Sequence, residues 1–148
     1  MAKENISKTN FDLWNLIGKV RHQIFLARQK ELSEHNIAVR QAYVLRTIND
    51  LGPKATIYEV ARIIERKVPV VSRQTADLER DGLIVRIKDK PKSNLFRLEL
   101  TSKGLEMVKI SDSSKLLDTI FVFLTKADRK KMESILNQIL VNLDEYSS

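Results

Sequence analysis

The sequence contains no cysteine. That excludes disulfide scaffolds, cysteine-ligated zinc, thiol nucleophiles and thiol redox sensing. Four glycines and three prolines in 148 residues are too few for a turn-rich all-β fold. His22 and His35 are the only imidazoles, and no nucleophile elbow, phosphate-binding loop or paired-histidine metal pattern accompanies them. Asp77, Glu79 and Asp81 stand among basic neighbours on a helix and read as surface salt bridging. With no catalytic constellation, no metal ligands and no cofactor motif, a non-enzyme without cofactors is expected. The longest apolar run, Ile120 to Leu124, is far short of the ~20 residues of a spanning helix. The first ten residues lack a secretory apolar stretch. A cytoplasmic protein without a membrane partner is expected.

Against these absences stands an uneven basic charge. The chain is 43% hydrophobic and 30% charged, the balance of a globular domain with a real core, and its net charge is +7. Residues 1–52 carry net +3, residues 53–104 net +5 and residues 105–148 net −1. An excess in the middle third fits a segment facing a polyanion. Charge alone fits an inert basic surface equally well.

Periodicity gives the order of elements. Leu13, Ile17, Val20, Ile24 and Ala27 form one face of a long helix, with a break near Asn36. Val39 to Asp50 predicts a second helix ended by Leu51-Gly-Pro-Lys54. Thr56 and Glu59 fit a capping box for a short third helix containing Val60, Ala61 and Ile64. Pro69 suits the first turn of a fourth, Val71, Thr75 and Leu78 point inward, and Gly82 closes it in a left-handed conformation. Leu83 to Lys88 and Leu95 to Leu100 predict a β-hairpin around a charged turn. A helix capped by Thr101 or Ser102 is expected to run to about Phe123. A last helix, opened by Thr125 and Asp128, carries Met132, Ile135, Leu136, Ile139, Leu140 and Leu143.

A short helix, a turn, a glycine-terminated helix and a hairpin make a winged helix-turn-helix. The major groove of B-DNA is ~12 Å wide and admits one helix. The open face of the fourth helix is expected to carry Pro69, Val70, Ser72, Arg73, Gln74 and Asp77. Arg73 suits a forked pair to guanine, Gln74 a pair to adenine, and Ser72 with the helix N-terminal amides a phosphate. Lys88, Lys90 and Lys92 suit phosphates from the hairpin loop. Each feature taken alone also fits a solvated face or a solubilising turn.

The segments NIAVRQAYVLRTI, TIYEVARII, VSRQTADLERDGLIVR and LELTSKG resemble the MarR family of bacterial and archaeal transcription factors. The pairing of LERDGLIVR with LTSKG across the hairpin is the most specific part, and the likeness extends over nearly the whole chain. The resemblance implies a mainly α fold with a small β-hairpin wing, a winged helix-turn-helix domain flanked by dimerisation helices. It divides the chain into an N-terminal dimerisation helix (1–35), a DNA-binding domain (36–104) and C-terminal dimerisation helices (105–148). It implies a homodimer acting on a palindromic double-stranded DNA operator, as a repressor. Ser72, Arg73 and Gln74 fall on the recognition helix, Arg86 on the first wing strand, and Lys88, Lys90, Lys92 and Asn94 in the wing. The family's Asp-Arg-Arg wing pattern is absent; Asp89 stands where its Asp would, with no Arg following. The resemblance further implies a small aromatic or anionic effector in a cleft beside the dimer helices, for which Trp14, His22 and Tyr43 are the candidate lining. The alternative is a winged helix used for protein or RNA contact without operator recognition.

Overall fold

A computed structural model describes the chain from residue 2 and its side chains from Thr9 onward. The elements are α1 (Ala2–Ser33), α2 (Val39–Leu51), a 3-10 turn (Gly52–Lys54), α3 (Ile57–Ile64), α4 (Val68–Arg80), β1 (Ile84–Ile87), β2 (Arg97–Leu100), α5 (Ser102–Asp112), α6 (Lys115–Phe121) and α7 (Lys126–Ser147). They divide into two compact units, residues 1–114 and 115–148.

Three helices of the first unit end alike. In each, a left-handed residue makes the turn and the amide just after it returns to the carbonyl five residues back. For α1 the bond is Ile37 to Leu32 at 3.4 Å with Asn36 at φ 58°. For α3 it is Arg66 to Ala61 at 3.0 Å with Glu65 at φ 54°. For α4 it is Leu83 to Leu78 at 2.9 Å with Gly82 at φ 74°. Both ends of the first and last of these bonds belong to residues with buried side chains, so the turn also folds its flanking apolar pair inward. Asn36 and Gly82 act as the sequence suggests, and Glu65 is the residue of the helix-turn-helix turn.

The core lies where the periodicity places it. Leu45, Val60, Val71, Thr75 and Leu78 are fully buried, joined by Leu32, Ile48, Ile84 and Leu98. Buried Thr75 donates its hydroxyl to the Ser72 carbonyl at 3.0 Å, so no polar group is stranded there. The hairpin is antiparallel in the register Ile84–Leu100, Val85–Glu99, Arg86–Leu98 and Ile87–Arg97. The Leu98 amide donates to the Ala55 carbonyl at 2.7 Å, tying the wing to the entry of α3.

Three local expectations are corrected. Thr56 accepts from the Glu59 amide at 3.2 Å, but the Glu59 carboxylate turns to Arg62 at 2.8 Å rather than back to Thr56. A charge-assisted bond wins over a neutral one. The ladder stops at Arg97, leaving Leu95 and Phe96 in the wing loop. The helix expected to reach Phe123 breaks after Asp112. There the Arg28 guanidinium, paired with Glu31 at 2.5 Å, donates to the Ser111 carbonyl at 3.1 Å. Buried Ser114 donates to Glu31 at 2.8 Å. Side chains of α1 thus bind the helix where it ends.

In the second unit Thr125 and Asp128 cap α7 reciprocally, at 3.0 and 3.1 Å. The hydrogen bonds hold the Asp128 carboxyl below its ordinary pKa. Among the described residues no helix is long and apolar enough to cross a membrane.

Candidate nucleic-acid interface

α4 is shaped by three inward residues and one constraint at each end. Val71, Thr75 and Leu78 seal one face into the core. Pro69 stands in the first turn, where its missing amide removes no helical bond. On the opposite face Pro69, Arg73, Ala76 and Arg80 are exposed, and Val70 is exposed beside them. Ser72 and Gln74 are half-buried on opposite flanks, and Asp77 is half-buried as well, so the open face is narrower than the spacing suggests. Arg73 and Arg80, seven residues apart, lie on one line of that face. Sequence reasoning did not pick out Arg80.

Their surroundings differ. Arg80 is held by Asp77 at 3.0 Å and by Asp81 at 3.8 Å. Arg73, in the N-terminal half, has no carboxylate within ion-pair distance among the described residues. Arg86 Nε on β1 lies 3.3 Å from a Glu79 carboxylate oxygen of α4, an ion-pair contact, but it is buried without a hydrogen-bond partner among the described residues.

The wing loop closes through a pair invisible in the linear pattern. Asp89 accepts from Arg97 Nε at 3.1 Å and from Arg97 Nη2 at 3.2 Å, a two-point fork, while Arg97 Nη1 meets Glu99 at 2.9 Å. The guanidinium therefore comes from the returning strand, not from a residue following Asp89. It holds the Asp89 carboxyl below the usual carboxylate range. Lys88 lies over the Phe96 ring at 5.8 Å. Lys90, Lys92 and Asn94 remain exposed, and neither lysine has a carboxylate partner among the described residues.

A second group of cations, unpaired among the described residues, surrounds a cavity of about 620 Å³ between α1, α2, the α3–α4 turn and α4. Arg21, Arg40 and Arg66 line it with His22, Phe25, Tyr43 and Gln74. Arg40 stacks on Phe25 at 5.9 Å. The Gln74 carbonyl oxygen is buried with no hydrogen-bond partner among the described residues. Of the three residues expected at a cleft, the structure brings His22 and Tyr43 together. Trp14 lies elsewhere on α1, against Phe11 at 5.4 Å. The three arginines and Gln74 were not expected as lining. The available signal was helical spacing: Gly18, Arg21, His22 and Phe25 on α1, and Val39, Arg40 and Tyr43 on α2, each form one stripe.

The arginines of the first unit thus sort into two classes. Arg28, Arg46, Arg62, Arg80, Arg86 and Arg97 are paired with carboxylates. Among the described residues, those left unpaired fall at two places, the outer face of α4 and the cavity.

No family model matches the chain, and no curated protein matches it. Solved structures do. Staphylococcus aureus MarR in complex with salicylate and kanamycin aligns at TM-score 0.79 and 23% identity, over 92% of this chain and 93% of that one. The S. aureus MepR–DNA complex aligns at TM-score 0.76 and 22% identity, over 86% and 94%. The organohalide-sensing transcriptional regulator RdhR, in its 2,4-dichlorophenol-bound form, aligns at TM-score 0.75 and 25% identity, over 88% and 78%. This chain has the winged helix-turn-helix fold of the MarR-family regulators.

Proposed function

We propose that the protein is a homodimeric, non-enzymatic transcriptional repressor that reads a palindromic DNA operator with α4 and grips its backbone with the wing. The observation that carries this reading is the unpaired Arg73 on the open face of α4, with Lys90 and Lys92 exposed on the wing. An arginine left without a carboxylate on a helix otherwise laced with ion pairs is available to a guanine edge. The fold is that of a protein solved on DNA. Ser72, Gln74, Pro69 and Val70 flank Arg73, while Arg86 and Asn94 support and extend the wing. Dimeric helix-turn-helix readers meet half-sites ~34 Å apart, so a symmetric operator follows from a symmetric protein.

The experiment is selection of duplex fragments from the protein's own genome, followed by titration of the enriched sequence and a scrambled duplex. Enrichment of one palindrome, weakened in Arg73→Ala, supports operator recognition. Equal binding of all duplexes, or none, favours the protein- or RNA-contact reading.

The cavity supports a second element, relief by a small anionic aromatic effector. Three unpaired arginines supply charge, Phe25 and Tyr43 supply ring contacts, and the Gln74 oxygen awaits a donor. Gln74 belongs to α4, so an occupant touching it must favour one placement of the recognition helix to shift the binding equilibrium. Titration with salicylate checks this: binding that weakens in Arg40→Ala and loosens the operator complex supports it. Binding unchanged in that variant removes the cavity from the scheme.

A further inference from the structure

Arg73 is unpaired although a carboxylate stands one turn away. Residues four apart on a helix carry Cβ atoms about 5–6 Å from each other, and opposite charges at that spacing attract. Asp77 is four residues after Arg73, and of the carboxylates on α4 it is the one that this spacing puts on the Arg73 face. Yet Asp77 Oδ1 lies 3.0 Å from Arg80 Nη1 instead. The order of the charges explains the choice. A carboxylate that precedes its cation, as in Asp77–Arg80, suits the backbone dipole; the order Arg73–Asp77 opposes it.

The other acids of the helix are engaged as well. Glu79 has Arg86 at 3.3 Å, and Asp81, the C-cap residue, has Arg80 at 3.8 Å. All three carboxylates are thus met by arginines other than Arg73, and Arg80 meets two of them. The Asp77 and Arg80 side chains are 42% and 71% exposed, so their pairing adds little to stability. Its consequence is which guanidinium it leaves free. Without Arg80, the cation nearest to Asp77 along that face is Arg73. A guanine edge would then have to displace the Asp77 carboxylate from Arg73, and the displaced carboxylate would face the DNA polyanion uncompensated. We propose that Arg80 is a positioning residue for operator reading: by holding Asp77 it keeps that carboxylate off Arg73. The proposal rests on the operator reading above and adds to it the reason that Arg73 is available.

The test uses the full-length protein, the selected palindrome and a scrambled duplex. Arg80→Gln is expected to lower the ratio of operator to scrambled affinity about five-fold. Adding Asp77→Asn restores the ratio, because the competitor for Arg73 is gone. Adding Asp81→Asn instead returns the same net charge but acts eight residues from Arg73, about 12 Å along the helix axis, and leaves the ratio low. In the free protein, the heteronuclear NOE of the Arg73 Nε–Hε group rises in Arg80→Gln and falls back when Asp77→Asn is added. Equal rescue by both acid changes, or rescue by neither, shows Arg80 acting on DNA through its own charge and overturns the proposal. An unchanged ratio or an unchanged Arg73 signal in Arg80→Gln overturns it too, while sparing the operator reading. An Arg73→Ala variant that binds the palindrome as tightly as the wild type overturns both.

Discussion

The Gly104 α-carbon lies so close to Leu83 that a Cβ built on it would meet the Leu83 carbonyl oxygen at 2.0 Å. α5 begins against the very turn that ends α4. Thr101 donates its hydroxyl to the Gly82 carbonyl at 2.7 Å and its amide to the Leu83 carbonyl at 3.1 Å. Lys103 donates to the Asp81 carbonyl at 3.1 Å. The exit of the recognition helix is thereby bolted to the strand return. Backbone, not a flexible side chain, opposes any atom added at residue 104, so Gly104→Ala is expected to destabilise the fold by about 3 kcal/mol. Thermal unfolding measures it; an unchanged melting temperature would show that α5 can withdraw from Leu83 at no cost.

That junction gives the physical sense of the motif pair LERDGLIVR and LTSKG, which resembles the family more specifically than any other segment. The two runs are distant in sequence yet share one set of backbone bonds. The inward face of α4 was legible for a simpler reason: Val71, Thr75 and Leu78 keep helical spacing between Pro69 and Gly82. The flank occupied by Gln74 was not legible, because whether it faces solvent or a cavity depends on how α1 and α2 approach. The end of α5 was hidden likewise, since Arg28 and Glu31 act there from a distant helix. The partner of Asp89 was not legible either, because Arg97 reaches it from the returning strand.

The Asp89–Arg97 fork makes the wing sensitive to acid. Arg97 holds the Asp89 carboxyl below its ordinary value by hydrogen bonding first and by charge second. A carboxylate whose folded value is depressed contributes its pairing fully above the unfolded value, about 3.9. It loses that contribution as pH falls through the lowered folded value. Wing order is therefore expected to be flat across neutral pH and to fail only in strong acid. The Asp89 carboxyl carbon, followed by NMR, should titrate below about 3.9. In Asp89→Asn, the amides of residues 88–96 should exchange faster at every pH. A midpoint at or above the ordinary value would dissolve the fork.

Glu65 makes the helix-turn-helix turn at φ 54°, in the left-handed region that a side-chain-bearing residue enters at a cost of roughly 1–2 kcal/mol. It has no ion-pair partner among the described residues. Glu65→Gly relieves that strain but adds unfolded-state freedom, so a net stabilisation of about 0.5–1 kcal/mol is expected in chemical denaturation. Destabilisation instead would show that the Glu65 side chain holds the turn through the cavity it lines.

Arg73 and the wing lysines should fail differently when removed. The free guanidinium of Arg73 is placed to read a base, so Arg73→Ala should cost roughly 1–3 kcal/mol on the operator and little on scrambled duplex. Lys90 and Lys92 have flexible ammonium groups without a planar fork, suited to phosphates of any sequence. Replacing both with Gln should weaken operator and scrambled duplex alike. It should also flatten the dependence of log affinity on log salt by about 2 units, since each neutralised phosphate accounts for about 0.9. Fluorescence anisotropy at a series of salt concentrations separates the two. A slope that falls in Arg73→Ala but not in the lysine variant would reverse the assignment, putting the helix on the backbone and leaving the wing in solvent.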